Sequence, residues 1–173
     1  MRITKESIKS RLLSDCHQFV DTANSYSQQQ FNHNPAGKWS VADVTQHLYL
    51  SARPVVRLMT GPRGVLTQWG EPDGPSRSYA VIESLYRTVL NTGVKAPASM
   101  SPRPDDLNVG QADVLERFSN EYYTLAQATK SWSEQELDSY VMPHPALGKL
   151  TVREMLSFVS IHTQHHLALL PIN

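Results

Sequence analysis

Apolar side chains recur every three or four residues along several stretches of this chain. One stripe covers residues 4 to about 28 and is predicted to end in the polar run at residues 27–34. The same spacing returns over residues 79–91 and 111–130. Because this spacing places apolar side chains on one face of a helix, each stretch is predicted to form an amphipathic helix.

Three further helices are predicted to begin where a hydroxyl residue is followed, three positions later, by a carboxylate. The pairs are Ser40 with Asp43, Ser133 with Glu136, and Thr151 with Glu154. In such a pair the hydroxyl accepts a hydrogen bond from the first turn, and the carboxylate favours the positive end of the helix. Pro54 lies late in the helix that follows Ser40, where we expect a kink or a loosened last turn.

Long connections rich in Pro and Gly separate these helices. Residues 60–78 are predicted to have little secondary structure, with Trp69 exposed in the middle, and residues 94–108 form a second loop. Residues 140–150 read as extended, but no strand alternation lasts more than a few residues. The pattern predicts an all-α fold, a helical bundle with long crossover connections and short extra helices, as one domain over residues 1–173.

The composition excludes several classes of protein. The 173 residues include sixteen basic and sixteen acidic side chains, so the chain lacks the positive field of a nucleic-acid binder. It has neither a cationic run for a membrane surface nor an apolar stretch near the ~20 residues that span a bilayer. Its one cysteine, Cys16, cannot form an internal disulfide, and no signal peptide precedes it. We therefore expect a cytoplasmic protein.

Histidines interrupt two of the predicted apolar faces. The stripe of the last helix consists of Val152, Met155, Val159, Leu169 and Leu170. His162 and His166 fall in its middle, about 40° apart around the helix axis, and His47 lies on the core side of the helix after Ser40. Three imidazoles bind Zn²⁺ or Ni²⁺ and leave a coordination position open, as in catalytic sites. The alternative for each histidine is a hydrogen-bonded place in the core.

Other polar residues are weaker candidates. His165 lies about 60° from the pair around the helix, which suits a flanking residue or one that supports a ligand. Asp43 lies one turn before His47 and either orients its ring or caps the helix, as Glu154 does in its own helix. Cys16 is predicted to belong to the core, and no catalytic acid or base is identified.

Two segments resemble the DinB/YfiT-like family of four-helix-bundle metalloproteins. The first is Trp39-Ser40, seven residues before His47. The second runs from His144-Pro-Ala-Leu-Gly148-Lys-Leu-Thr151 through Glu154 to His162-Thr-Gln-His165-His166-Leu167. The resemblance implies a site for a divalent ion, commonly Ni²⁺ or Zn²⁺, held by His47, His162 and His166. The polar Arg or Gln that often follows the last motif in the family is missing here.

The resemblance implies a metal-dependent enzyme that acts on a small molecule, either a hydrolase or a transferase that uses a low-molecular-weight thiol. The alternative is a non-catalytic bundle that binds a metal or small molecule, or forms a homodimer. Neither interpretation involves nucleic acid or a membrane. Three further histidines are not expected to belong to the site, because His144 lies in an extended segment, His17 near the middle of the first helix and His33 in a loop.

Overall fold

Four long helices form the body of the protein in a computed structural model that describes residues 2–171. They are α1 (Lys5–Asn24), α3 (Val41–Thr60), α5 (Gln111–Ala128) and α7 (Val152–Ala168). Three shorter helices and one hairpin join them: α2 (Gln28–Asn32), α4 (Tyr79–Leu90), α6 (Glu134–Ser139), β1 (Val141–His144) and β2 (Gly148–Thr151). α5 packs against α1 and α3, and α7 packs against α1, α3 and α4. The predicted all-α bundle is confirmed.

The predicted capping pairs are all present and determine where these helices begin. The Ser40 hydroxyl accepts from the Asp43 N–H at 3.0 Å, and the Asp43 carboxylate accepts from the Ser40 N–H at 2.9 Å. Thr151 and Glu154 exchange the same two bonds at 3.2 and 2.9 Å. Ser133 and Glu136 cap α6 in the same way. These bonds satisfy backbone donors that a helix start leaves unpaired.

Two helix ends differ in part from what was predicted. The polar run after α1 was predicted only to end that helix, but it also forms a short helix of its own, α2. Ser27 and Gln30 form a capping box at its start, and Phe31 is buried. α3 continues past Pro54 to Thr60 without the loosened last turn, which was one of the two outcomes predicted there. Its end is closed by the Gly61 N–H, which donates to the Arg57 carbonyl at 3.0 Å.

The connection at residues 60–78 is more ordered than its composition predicted. Residues Arg63–Trp69 form a 3-10 helix, Leu66 is fully buried, and Trp69 is half-buried against the core, so the predicted exposure of Trp69 was wrong. The reason is an anchor that no local pattern reveals. The Arg63 guanidinium lies 3.7 Å from the ring centre of Trp132 and donates to the Ser131 carbonyl at 2.7 Å.

The predicted extended segment is an antiparallel hairpin whose register pairs Val141 with Thr151 and His144 with Gly148. Gly148 has a φ of 73°, a conformation that favours glycine. The sequence did not predict the pairing, because strands of four residues are too short to show alternation. The hairpin delivers the chain directly into the first turn of α7.

α7 is the central element, since every residue from Val152 to Thr163 is buried. It carries two buried charges at its start, Arg153 and Glu154. Its predicted apolar stripe is too long, because Leu169 lies after the last helical residue and is 66% exposed. None of the helices within residues 2–171 has both the length and the apolar character needed to cross a bilayer.

Candidate metal centre

The bundle brings together the three histidines that the sequence analysis selected. His47 comes from α3, and His162 and His166 come from neighbouring turns of α7. Nε2 of His162 lies 3.0 Å from Nε2 of His47 and 3.1 Å from Nε2 of His166. The three ligand atoms all lie within 4.8 Å of one another, so one ion could contact all three rings.

A backbone carbonyl orients the His47 ring. Nδ1 of His47 donates to the carbonyl oxygen of Met100 at 2.7 Å. Because a carbonyl only accepts, Nδ1 carries the proton of the neutral ring and Nε2 presents its lone pair to the other histidines. The rings of Trp39 and His47 pack with centres 4.9 Å apart, which restricts the imidazole further.

Burial keeps the three rings neutral. It lowers the pKa of His162 well below its ordinary value, and the neighbouring histidines lower that pKa further. Burial, followed by the proximity of His47 and His165, lowers the pKa of His166 to about 3. The pKa of His47 is also lowered by burial, against the opposing effect of its bond to Met100. A neutral imidazole is the form that ligates a metal.

The contacts of His162 test whether these residues fit a cation. Its Nε2 lies within hydrogen-bond distance of two other Nε2 atoms, but a neutral imidazole has one proton to share. A proton on Nε2 of His162 can therefore form a hydrogen bond to only one of the other two histidines, whereas a divalent cation would accept the Nε2 lone pairs of all three. Zn–N bonds of about 2.0–2.1 Å in a tetrahedral site separate ligand nitrogens by roughly 3.3 Å, close to the 3.0 and 3.1 Å that separate Nε2 of His162 from the other two. The three residues fit a divalent ion.

The suggested supporting role of Asp43 is not what the structure shows. Its carboxylate accepts from Ser40 and from the Asn34 side-chain amide, at 2.6 Å for the latter. The Met100 carbonyl has the position beside His47 that the Asp43 carboxylate was expected to take. The capping requirement of α3 determines where Asp43 points, and its competing interpretation as a cap is confirmed.

His165 flanks the centre without joining the nitrogen cluster. It is half-buried, and its ring centre lies 5.1 Å from that of His166 and 5.6 Å from that of Tyr86. No hydrogen bond joins it to a ligand histidine within the described residues. His165 therefore contributes part of the wall beside the site.

A cavity of about 660 Å³ opens beside the three histidines. Its walls come from α3, α4, α7, the hairpin and the loops before α4 and α5. Aromatic, aliphatic and proline side chains dominate the lining, among them Trp39, Leu58, Trp69, Leu90, Pro97 and Phe158. Among residues 2–171 no Asp or Glu side chain lines it. A cavity of this size and character is typical of a small-molecule site.

His144 is the cavity residue that the sequence analysis missed. The backbone N–H groups of Ala146 and Leu147 donate to its Nδ1 at 3.1 and 2.9 Å, so Nδ1 carries no proton and the neutral ring has its proton on Nε2. The ring packs edge-on against Phe158 with centres 4.2 Å apart, and burial lowers the pKa of His144 to about 4. The one sequence signal was a histidine directly before a Pro-Ala-Leu-Gly turn, where a side-chain acceptor closes the turn.

The remaining candidates lie elsewhere. His17 is exposed and bonds to the Tyr123 hydroxyl at 2.6 Å, and His33 is exposed at the end of α2. Cys16 is fully buried, and burial raises the pKa of its thiol to about 11. A thiol that stays protonated is a poor nucleophile, so its predicted place in the core is confirmed.

Comparisons with known proteins agree with this architecture. The sequence model described as "DinB superfamily" matches residues 15–170. Among curated proteins, the chain is similar to the uncharacterized protein YuaE of Bacillus subtilis (strain 168), with 25% identity over 146 residues. That alignment covers 82% of this chain and 82% of YuaE.

Proposed function

Because the chain belongs to the DinB superfamily and its three converging imidazoles fit a divalent cation, we propose that the protein is a metal-dependent enzyme acting on a small molecule. The reaction is either hydrolysis or the transfer of a small thiol to an electrophile. The single observation that carries the proposal is the set of three Nε2 atoms, all within 4.8 Å, at the wall of an apolar cavity.

His47, His162 and His166 would hold the ion, and borderline cations such as Zn²⁺ and Ni²⁺ suit three nitrogen ligands. When bound, such an ion lowers the pKa of a coordinated water or thiol and polarises a carbonyl group. The protein's own contribution is positional. The Met100 carbonyl keeps the His47 ring in one tautomer, and the apolar walls limit the access of bulk water to the reacting atoms.

Two polar groups of the cavity wall, the half-buried His144 and the buried Tyr86, would orient a substrate. His144 offers a fixed Nε2–H donor, because its Nδ1 already accepts the two backbone N–H groups of the hairpin turn. Tyr86 lines the same cavity, and burial raises the pKa of its phenol to about 12, so it stays a donor at neutral pH. Both groups suit a substrate that carries hydrogen-bond acceptors such as carbonyl oxygens.

One observation favours a second candidate function, a non-catalytic bundle that binds a metal or a small molecule. A carboxylate is one of the groups that serve enzymes as general base, and no Asp or Glu of the described residues lines the cavity. A binding protein needs no such group. Turnover measurements before and after chelation separate the two functions.

Metal analysis of untagged protein is the first test. We expect about one divalent ion per chain, falling below about 0.2 in His162→Ala, because loss of one of three ligands removes most of the affinity. His17→Ala, an exposed histidine on α1, is the matched control and should keep the metal. A content below about 0.2 in the unmodified protein that His162→Ala does not change would remove the metal site and with it the proposed enzyme.

The second test concerns activity. Ester hydrolysis and thiol transfer to electrophiles are assayed before and after removal of the metal, with circular dichroism to monitor the fold. An enzyme loses turnover while it keeps its helical signal. Absence of turnover together with a metal-dependent melting temperature would favour the binding bundle.

A further inference from the structure

We infer that the cavity beside the three histidines takes a largely apolar small molecule with an anionic group, which pairs with Arg57 and Lys95. This inference deepens the proposed function by naming the substrate class, and it rests on the same cavity. Four features of the lining carry it: its charges, its hydrogen-bond donors, the charge of a loaded metal centre, and the spacing along α3.

The charged side chains of the cavity are of one sign. Arg57, in the last turn of α3, and Lys95, in the loop after α4, both line it and are exposed to solvent. Neither forms an ion pair in the part of the chain that the structure describes. By contrast, Arg77 and Arg153 each contact a carboxylate, at 2.7 and 2.5 Å. Two cations at a cavity without acids attract an anion.

Apart from the histidines of α7 and His47, several uncharged polar groups of the lining are hydrogen-bond donors or hydroxyls. His144 offers Nε2–H, and Tyr86 offers a phenol hydroxyl at the cavity wall. The Ser51 hydroxyl, one turn after His47 on α3, is buried and has no hydrogen-bond partner among residues 2–171. A buried hydroxyl without a partner is unfavourable, and a ligand with acceptor atoms removes that cost. The lining is therefore complementary to acceptors such as carboxylate or carbonyl oxygens.

The metal centre adds to the same preference. Histidine ligates a metal as a neutral imidazole, so a divalent ion held by His47, His162 and His166 would keep its full charge beside the apolar walls. No carboxylate of the described lining offsets that charge. The positive field of the ion would add to that of Arg57 and Lys95 and attract an anionic ligand to the cavity.

The spacing of these groups sets the shape of the molecule. Arg57 follows His47 by ten residues on one helix, which is about 15 Å along the axis. The α3 wall between them is mainly apolar, with Leu48, Ala52 and Val55. A ligand with its acceptor at the histidines and its anionic group at Arg57 would lay an apolar body along this wall.

The test compares 4-phenylbutyrate with its neutral amide, 4-phenylbutyramide, by isothermal titration calorimetry at low salt. The two probes have the same apolar body and differ in charge. We expect the carboxylate to bind about tenfold tighter than the amide. Arg57→Gln/Lys95→Gln should remove most of that preference, and all of it after chelation, without changing the affinity for the amide. The control, Arg53→Gln/Lys130→Gln, removes two exposed cations that do not line the cavity and should keep the preference.

Three results would overturn the inference: no measurable binding of the carboxylate, equal affinity for the two probes, or an equal loss in the control variant. The titrations are repeated after chelation, with metal content measured separately. A preference that persists in a protein without a metal site supports the inference while the proposed function fails. If the protein binds metal but does not distinguish the two probes, the inference fails while the metal site of the proposed function stands.

Discussion

Nδ1 of His47 donates to the carbonyl oxygen of Met100 across 2.7 Å, although the two residues lie 53 positions apart in the chain. The bond joins α3 to the loop that follows α4. It leaves the Nε2 lone pair of His47 as the one available to an ion. The loop thereby controls one ligand of the centre without contributing a ligand itself.

Loosening that loop should weaken metal binding. The Pro97 carbonyl accepts from the Met100 N–H at 2.9 Å and from the Ser101 hydroxyl at 3.0 Å, which closes the turn that presents the Met100 carbonyl. Pro97→Gly gives this turn more freedom and should lower metal affinity about tenfold, measured by competition with a chelator. Pro102→Gly, in the same loop, is the control. Equal affinity in both variants would show that the carbonyl does not hold His47 in place.

The hairpin turn depends on His144. Since Nδ1 accepts two backbone N–H groups, His144→Ala should lower the free energy of unfolding by about 1–2 kcal/mol. His144→Asn places an acceptor near the same position and should recover part of the loss. Urea unfolding measures both variants. Equal stability of the Ala and Asn variants would contradict the role given to Nδ1.

The lowered pKa of His144 also predicts that the stability of the protein depends on pH. Burial lowers its pKa from 6.5 to about 4, so the unfolded chain binds the proton more readily than the folded one between these values. Its contribution to stability is complete above pH 6.5 and declines as the pH falls towards about 4. His144→Asn should therefore lose less stability than the unmodified protein between these two pH values. If the curves of unfolding free energy against pH are parallel for the two proteins, this role of His144 is wrong.

A second acid-sensitive contact lies at the start of α7. Burial alone would raise the pKa of Glu154, but hydrogen bonds from Arg77, at 2.7 and 2.9 Å to its side chain, outweigh burial and lower that pKa below 4.5. The stabilisation is present above pH 4.5 and is lost as the pH falls through the lowered value. Glu154→Gln should lower the free energy of unfolding by about 1.5–3 kcal/mol at neutral pH. It should also make the acid limb, the fall of stability at low pH, less steep.

Glu6→Gln is the control for that measurement, because Glu6 is exposed and its ion pair with Lys9 is 3.8 Å long. It should change stability by less than about 0.5 kcal/mol. An acid limb in Glu154→Gln as steep as that of the control variant would assign acid unfolding to other groups.

The buried Arg153 ties α7 to α6 and to the N-terminus. It donates to Asp138 at 2.5 and 3.1 Å and to the carbonyls of Ile3 and Glu134 at 2.7 and 2.8 Å. Arg153→Met leaves the Asp138 charge without its main partner and should cost about 3–5 kcal/mol. Thermal unfolding should show a fall of about 10 °C or more.

A double variant tests the cause of that loss. Arg153→Met/Asp138→Asn removes the stranded charge and should be less destabilised than the sum of the two single changes. Strict additivity would mean that Arg153 stabilises the protein through packing and its carbonyl contacts instead.

Local signals predicted a large part of this structure. The starts of α3, α6 and α7 follow from side-chain hydrogen bonds that span three residues, and such bonds are visible in the sequence. The buried face of α5 matches its apolar spacing, because the helical period is likewise a local property of the sequence. The placement of His162 and His166 on one face also follows from the helical period, which needs no tertiary information.

The sequence by itself therefore determined where the main helices begin, which faces they bury, and which histidines share a turn of α7. Tertiary packing alone decided that His47 meets His162 across 115 positions, that Met100 holds its ring, and that His144 reaches the cavity. The physical reason is the range of the interactions. Bonds within one helical turn leave a pattern in the chain, whereas contacts between distant segments depend on how all the helices pack together.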